Sequence, residues 1–135
     1  MMSTGIFRNT GANATIITTN NTQEWVDKLN NIMIYFTYQL NKPAINNLNE
    51  LNFTVHDFKT GNNLKNITAN IAVVNSPDPT FKFDNITAPD GVFSIKCPFL
   101  NEGMHQVIVN IRSSNNYAAA LASFNLTVPL TSNSS

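Results

Sequence analysis

Charged side chains are scarce in this sequence: Asp, Glu, Lys and Arg make up 12% of its 135 residues, about half the share of an average soluble domain. Eight Lys and Arg balance eight Asp and Glu, so the formal net charge is zero. A chain this neutral carries no electrostatic footprint for nucleic acid, and none is expected as a partner. A single cysteine, Cys97, excludes an internal disulfide and so the usual staple of small exported domains. No run approaches the ~20 apolar residues of a membrane-spanning helix. Met1–Ala14 also lacks the apolar core of a secretory leader. Catalytic groups are thinly supplied: two histidines, one thiol and eight carboxylates. There is no glycine-rich phosphate loop, no G-x-S-x-G elbow and no usefully spaced carboxylate pair. The reading is therefore of a protein that is not an enzyme and needs no cofactor.

What the chain has in quantity is alternation. Ile32, Ile34, Phe36, Tyr38 and Leu40 alternate with Met33, Tyr35, Thr37 and Gln39. The same every-other-residue pattern recurs around Phe53 and Val55, along Ile67–Val74 and along Phe93–Phe99. Successive side chains of an extended chain point to opposite faces, so this period marks half-buried strands. Strands are predicted at Ile32–Leu40, Leu51–Phe58, Ile67–Val74, Phe81–Ile86, Val92–Phe99, His105–Arg112 and Ala118–Val128. Pro43 and the polar stretch Asn46–Glu50 are expected to break the chain, and Lys59-Thr60-Gly61-Asn62 to turn it. Ala88-Pro89-Asp90-Gly91 is the clearest turn, with Pro presetting φ and Gly free to go left-handed; it is expected to close a hairpin.

About seven strands joined by turns, without a βαβ rhythm, predict an all-β fold: an immunoglobulin-like antiparallel β-sandwich over residues 31–130. Residues 1–30 read as an N-terminal extension holding an edge strand at Ala14–Thr19, a short helix at Thr22–Leu29, or both. The helix rests on Asn21 and Glu24 at capping-box spacing and on Trp25, Val26 and Leu29 at helical intervals. Residues 131–135 read as a tail or linker.

Asparagine supplies much of the missing polarity, with 23 copies. Seven stand in N-x-S/T frames: Asn13, Asn20, Asn52, Asn66, Asn85, Asn125 and Asn133. The Ser and Thr content predicts roughly four such frames by chance, so seven is a modest excess. The frames are candidate glycosylation sites of an exported protein. The plainer explanation is that Asn-apolar-Thr suits a strand facing outward, inward and outward again, as at Asn52-Phe53-Thr54.

Three other groupings bear on chemistry. Cys97, Met104 and His105 fall at one strand–loop–strand junction, and Cys, His and Met are blue-copper ligands. The usual loop sets His between Cys and Met, whereas Met104 precedes His105 here, and His56 falls on the opposite strand parity. The metal alternative is a looser copper site built on Met104 and His105, with Met33 as a further donor. Asp78, Asp84 and Asp90 lie in or beside loops but lack the D-x-D runs of a calcium site. Trp25, Tyr35 and Tyr38 form a candidate aromatic patch, against the simpler view that Trp25 packs a helix over the sandwich end.

Tyr38-Gln39-Leu40-Asn41-Lys42-Pro43, the run Leu51–Asp57, the Lys59-Thr60-Gly61 turn, Ala88-Pro89-Asp90-Gly91-Val92-Phe93 and Gly103–Val109 together resemble the YtkA-like domain family. The resemblance covers the stretch from Ile34 to Leu130 and leaves residues 1–30 outside it. YtkA-like domains are exported immunoglobulin-like sandwiches of bacterial and archaeal envelope proteins, more distantly similar to macroglobulin-type modules. The matched residues are turns and core positions, so the resemblance implies a fold and a location but no catalytic residue. It implies an extracellular or cell-surface binding or structural module, archaeal in style, whose partners are proteins or surface polymers. Copper handling in some relatives is what the resemblance adds to the Met104–His105 alternative. Any leader or membrane anchor is expected to lie outside the sequence given, with Thr131–Ser135 suited to a stalk.

Overall fold

The computed structural model describes residues 5–8, 14–19, 22–38, 48–77, 80–113 and 119–129. These form ten strands: β1 (Gly5–Arg8), β2 (Ala14–Thr19), β3 (Thr22–Asp27), β4 (Ile32–Tyr38), β5 (Leu48–Asp57), β6 (Ile67–Val74), β7 (Phe81–Ala88), β8 (Val92–Pro98), β9 (Gly103–Ser113) and β10 (Ala119–Val128). A six-stranded sheet runs β1-β2-β3-β4-β5-β8 and a four-stranded sheet runs β10-β9-β6-β7. Every pairing is antiparallel. The last seven strands split as β4-β5-β8 against β10-β9-β6-β7, the connectivity of an immunoglobulin-like sandwich whose fourth strand has joined the second sheet.

The alternation predicted from sequence sorts the side chains as expected. Ile32, Ile34, Phe36, Leu51, Phe53 and Val55 of one sheet and Ile67, Ile71, Val107, Val109, Ile111 and Phe124 of the other are at most 1% exposed and share one apolar core. At its centre Phe36, Phe53 and Phe93 stack across β4, β5 and β8, with centroids 5.1 Å apart at each step. Phe124 of the opposite sheet meets Phe36 at 5.0 Å. Aromatic neighbours at such spacing add to the gain from area burial.

Three expectations are corrected. The segment expected as a helix is β3, a strand inside the six-stranded sheet. Its buried residues Trp25 and Val26 lie on opposite faces, and Leu29, the third helical contact, is 73% exposed in the turn. The turn is held by Asp27, whose carboxylate accepts the backbone N–H and the side-chain amide of Asn30 at 3.1 and 2.7 Å. Asn31 then takes a positive φ of 60°, a conformation Asn tolerates. Second, the polar stretch before Leu51 does not wholly break the chain, because β5 begins at Leu48. Glu50 sits opposite Lys96 there, and the Asn49 amide donates to the Cys97 carbonyl.

Third, Ala88-Pro89-Asp90-Gly91 does turn, with the Gly91 N–H donating to the Ala88 carbonyl at 3.2 Å, but it closes no hairpin. Ala88 ends β7 opposite Ile67 of the four-stranded sheet, while Val92 starts β8 opposite Thr54 of the six-stranded one. The turn therefore carries the chain between sheets. The segment after β5 folds under it: Leu64 N–H donates to the Val55 carbonyl, Val55 N–H to the Gly91 carbonyl, and Asn66 N–H to the Pro89 carbonyl, all at 2.8–2.9 Å. Asp57 caps the neighbouring turn. Its carboxylate accepts the Thr60 and Lys59 backbone N–H groups, which hold its pKa below the ordinary carboxylate value.

Strands β1–β3 extend the first sheet beyond β4, and β3 is tied to the other sheet. Buried Gln23 donates its Nε2–H to the Asn125 carbonyl on β10 at 2.6 Å. The same side chain bonds to the Tyr38 hydroxyl, whose pKa burial raises and that bond partly lowers.

Gly91 has a positive φ of 78°, and a Cβ built there would lie 2.5 Å from the Leu64 carbonyl oxygen and 2.9 Å from that of Val55. Gly61 has the same φ but nothing within 4 Å. Gly61→Ala is therefore expected to cost about 1 kcal/mol from backbone strain alone. Gly91→Ala should cost roughly 2–4 kcal/mol, because a backbone oxygen must also move. Urea unfolding of the two variants checks this, and equal losses would remove the crowding argument.

Candidate functional site

Neighbours along a strand point to opposite faces, and that parity decides the Met104–His105 pair. Met104 is 59% exposed on the outer face of the four-stranded sheet, whereas His105 is 3% exposed inside. The imidazole packs edge-on against Phe99 with centroids 4.7 Å apart. Its Nδ1 lies 3.0 Å from the Gly103 carbonyl, which can only accept, so Nδ1 carries the hydrogen. Asn75 Nδ2, which can only donate, lies 2.9 Å from Nε2. Both ring nitrogens are thereby engaged inside the protein. The fold does not bring Met104 and His105 together, and His105 acts as a core residue that anchors the start of β9 to Asn75.

Met33, named as a further donor, lies on β4 of the other sheet and points outward. It stands opposite His56 of β5, and His56 in turn meets the Tyr35 ring edge-on at 4.8 Å. This half-buried outer cluster was not anticipated, although strand parity places Met33, Tyr35 and His56 on one face once β4 and β5 are paired. Trp25, Tyr35 and Tyr38 do not form a patch. Trp25 is buried in the core and Tyr38 packs against it from the inner face, while Tyr35 faces out. Among the described residues no group of three or more His, Cys, Asp or Glu is placed to hold a metal ion. Asp84 is exposed within β7, and Asp90, at the crossing turn, pairs with Lys65 at 3.8 Å on an exposed surface. Asp78 lies outside the described residues.

Four of the seven N-x-S/T frames are described, and all four set an exposed asparagine before an apolar residue that lies in or against the core. Asn52, Asn66, Asn85 and Asn125 are exposed. The middle residues Phe53, Ile67 and Leu126 are core, and Ile86 packs against it. Asn66 and Asn85 both adopt positive φ, at 55° and 58°. Asn13, Asn20 and Asn133 lie outside the residues whose side chains are described.

No protein-family model matches this chain, and no curated protein or solved structure matches it either.

Cys97 is fully buried beside Phe93, Ile95 and Phe99, as the alternation requires. Its thiol donates to the Pro98 carbonyl at 3.4 Å, and burial pushes its pKa from the ordinary 9.0 to about 11. A thiol held protonated in the fold is inert, since the thiolate is the nucleophile. Its contribution to stability is intact below pH 9 and is lost as pH rises through the raised value near 11. The native protein is therefore expected to resist a thiol-reactive disulfide reagent at pH 8 while the urea-unfolded chain reacts fully. Stability should fall between pH 9 and 11, with a component that the Cys97→Ala variant lacks. Rapid labelling of the native protein would contradict the burial argument.

Proposed function

We propose that this chain is a non-catalytic binding and structural module of the cell exterior. The observation that carries the reading is the shared side-chain placement in the four described frames, each with an exposed asparagine beside an apolar residue turned to the core. A surface built on amides and hydroxyls suits hydration, or attached sugar, in a chain with so few charges. The groups most useful to chemistry are committed elsewhere: the Cys97 thiol and His105 imidazole are spent on the core. Partners on this reading are proteins or surface polymers, met through strand edges and end loops. The residues that resemble YtkA-like domains point, on this reading, to the same location. In the structure they fall largely on β5, on the turn at 59–61, on the sheet-crossing turn and on β9, which are scaffold positions.

Protease treatment of intact cells of the source organism tests the location. The reading predicts that the chain is cut before the cells are lysed, while a cytoplasmic marker stays whole. A chain protected until lysis would overturn it.

A further inference from the structure

Each strand of a sheet is tied to its neighbours by a ladder of backbone bonds, and an edge strand has that ladder on one side only. This difference separates the four described frames. Asn52-Phe53-Thr54 lies in β5, between β4 and β8. Asn66 N–H is bonded to the Pro89 carbonyl, and its frame runs on through Ile67 and Thr68 into β6, between β7 and β9. Asn125 lies on the edge strand β10, but its carbonyl accepts the Gln23 amide and Leu126 is fully buried. Asn85-Ile86-Thr87 lies on β7, the other edge of the four-stranded sheet.

The Asn85 frame is also set apart locally. The register of β7 against β6 slips between the Ala69–Ile86 and Ile71–Phe83 pairs. Asp84 and Asn85 are thereby left opposite Asn70 alone, which is a bulge. Asn85 occupies it at φ 58°, its N–H held by the Asn70 side-chain oxygen at 2.6 Å rather than by a strand carbonyl. Asn85 and Thr87 are both exposed, and Ile86 is the only middle residue of the four that is not fully buried.

An enzyme that glycosylates asparagine must draw the three-residue frame off the surface to reach both the amide and the hydroxyl. The barrier to that step is the local opening of the segment, which is lowest where pairing is one-sided and burial is incomplete. We infer that Asn85 is the preferred N-glycan acceptor of the folded chain among its four described frames. In the cell this rests on the exterior reading above. The glycosyl donor is an oligosaccharide carried on a polyisoprenyl diphosphate. The Asn85 amide nitrogen attacks the anomeric carbon, and the nitrogen–carbon bond forms as the carbon–oxygen bond to phosphate breaks. The diphosphate leaves with the bonding pair, and the amide proton passes to a base of the transferase.

The test supplies both donor and enzyme. The purified folded protein is incubated with a polyisoprenyl-diphosphate oligosaccharide and a single-subunit oligosaccharyl transferase that reads the three-residue frame, and occupancy at each site is followed by glycopeptide mass spectrometry. Asn85 is expected to fill about tenfold faster than Asn52, Asn66 or Asn125, and the preference should collapse when unfolded peptides are the acceptors. Thr87→Val, which keeps a β-branched side chain on an exposed site, should abolish modification of Asn85 without moving the unfolding midpoint. Equal or slower filling of Asn85 in the folded chain, with the peptides modified normally, would overturn the inference. The outcome does not depend on where the cell keeps the protein, which the protease experiment decides separately.

Discussion

The crossing at Gly91 is the constraint on which the rest of the sandwich depends. Two sheets can share one interior only if the chain passes between them without burying unpaired backbone groups. Here the turn at Pro89–Gly91 delivers its carbonyls to Val55 and Asn66, while Leu64 closes the remaining bond to Val55. The contact is so close that only a hydrogen fits on Gly91. With that junction made, β7 stays with β6, β8 lies against β5, and Phe93 completes the aromatic stack with Phe53 and Phe36.

The same closure explains where the chemically promising side chains among the described residues are placed. Alternation that drives Cys97 and His105 inward also drives Met104 outward. An interior that accepts an imidazole must satisfy both its nitrogens, and Gly103 and Asn75 do so. Among the described residues the surface carries asparagine, threonine, a few scattered apolar groups and charges such as Lys65 and Asp90. Its one aromatic pairing with a titratable ring is Tyr35 against His56, among the described residues. On the proposed reading the fold is a stiff scaffold, and its exterior is defined by strand edges and amide-bearing frames.

Much of this was legible in the sequence because burial on one face of a strand imprints a period of two. The alternation predicts Ile67–Val74 to the residue, and Val92–Pro98 and Ala119–Val128 to within one. Pairing was not legible, since alternation states which face a residue takes but not which strand lies beside it. Hence a good turn sequence predicts a hairpin where the chain in fact crosses between sheets. The helix expected at Thr22–Leu29 failed for a related reason. Strand β3 is buried on both faces at Trp25 and Val26, and adjacent apolar residues mimic a helical stripe over so short a segment. For the candidate site, parity alone separated Met104 from His105 and was readable in advance. The Met33–Tyr35–His56 cluster also needed the β4–β5 register.

The most direct measurement is a set of cross-strand nuclear Overhauser contacts from the folded protein in solution. The account predicts backbone contacts between Phe53 and Phe93 and between Ile67 and Ala88. It also predicts no ladder joining the strand before Pro89 to the strand after Gly91. A continuous ladder between Phe81–Ile86 and Val92–Phe99 would make the turn a hairpin, and the two-sheet arrangement described here would be wrong.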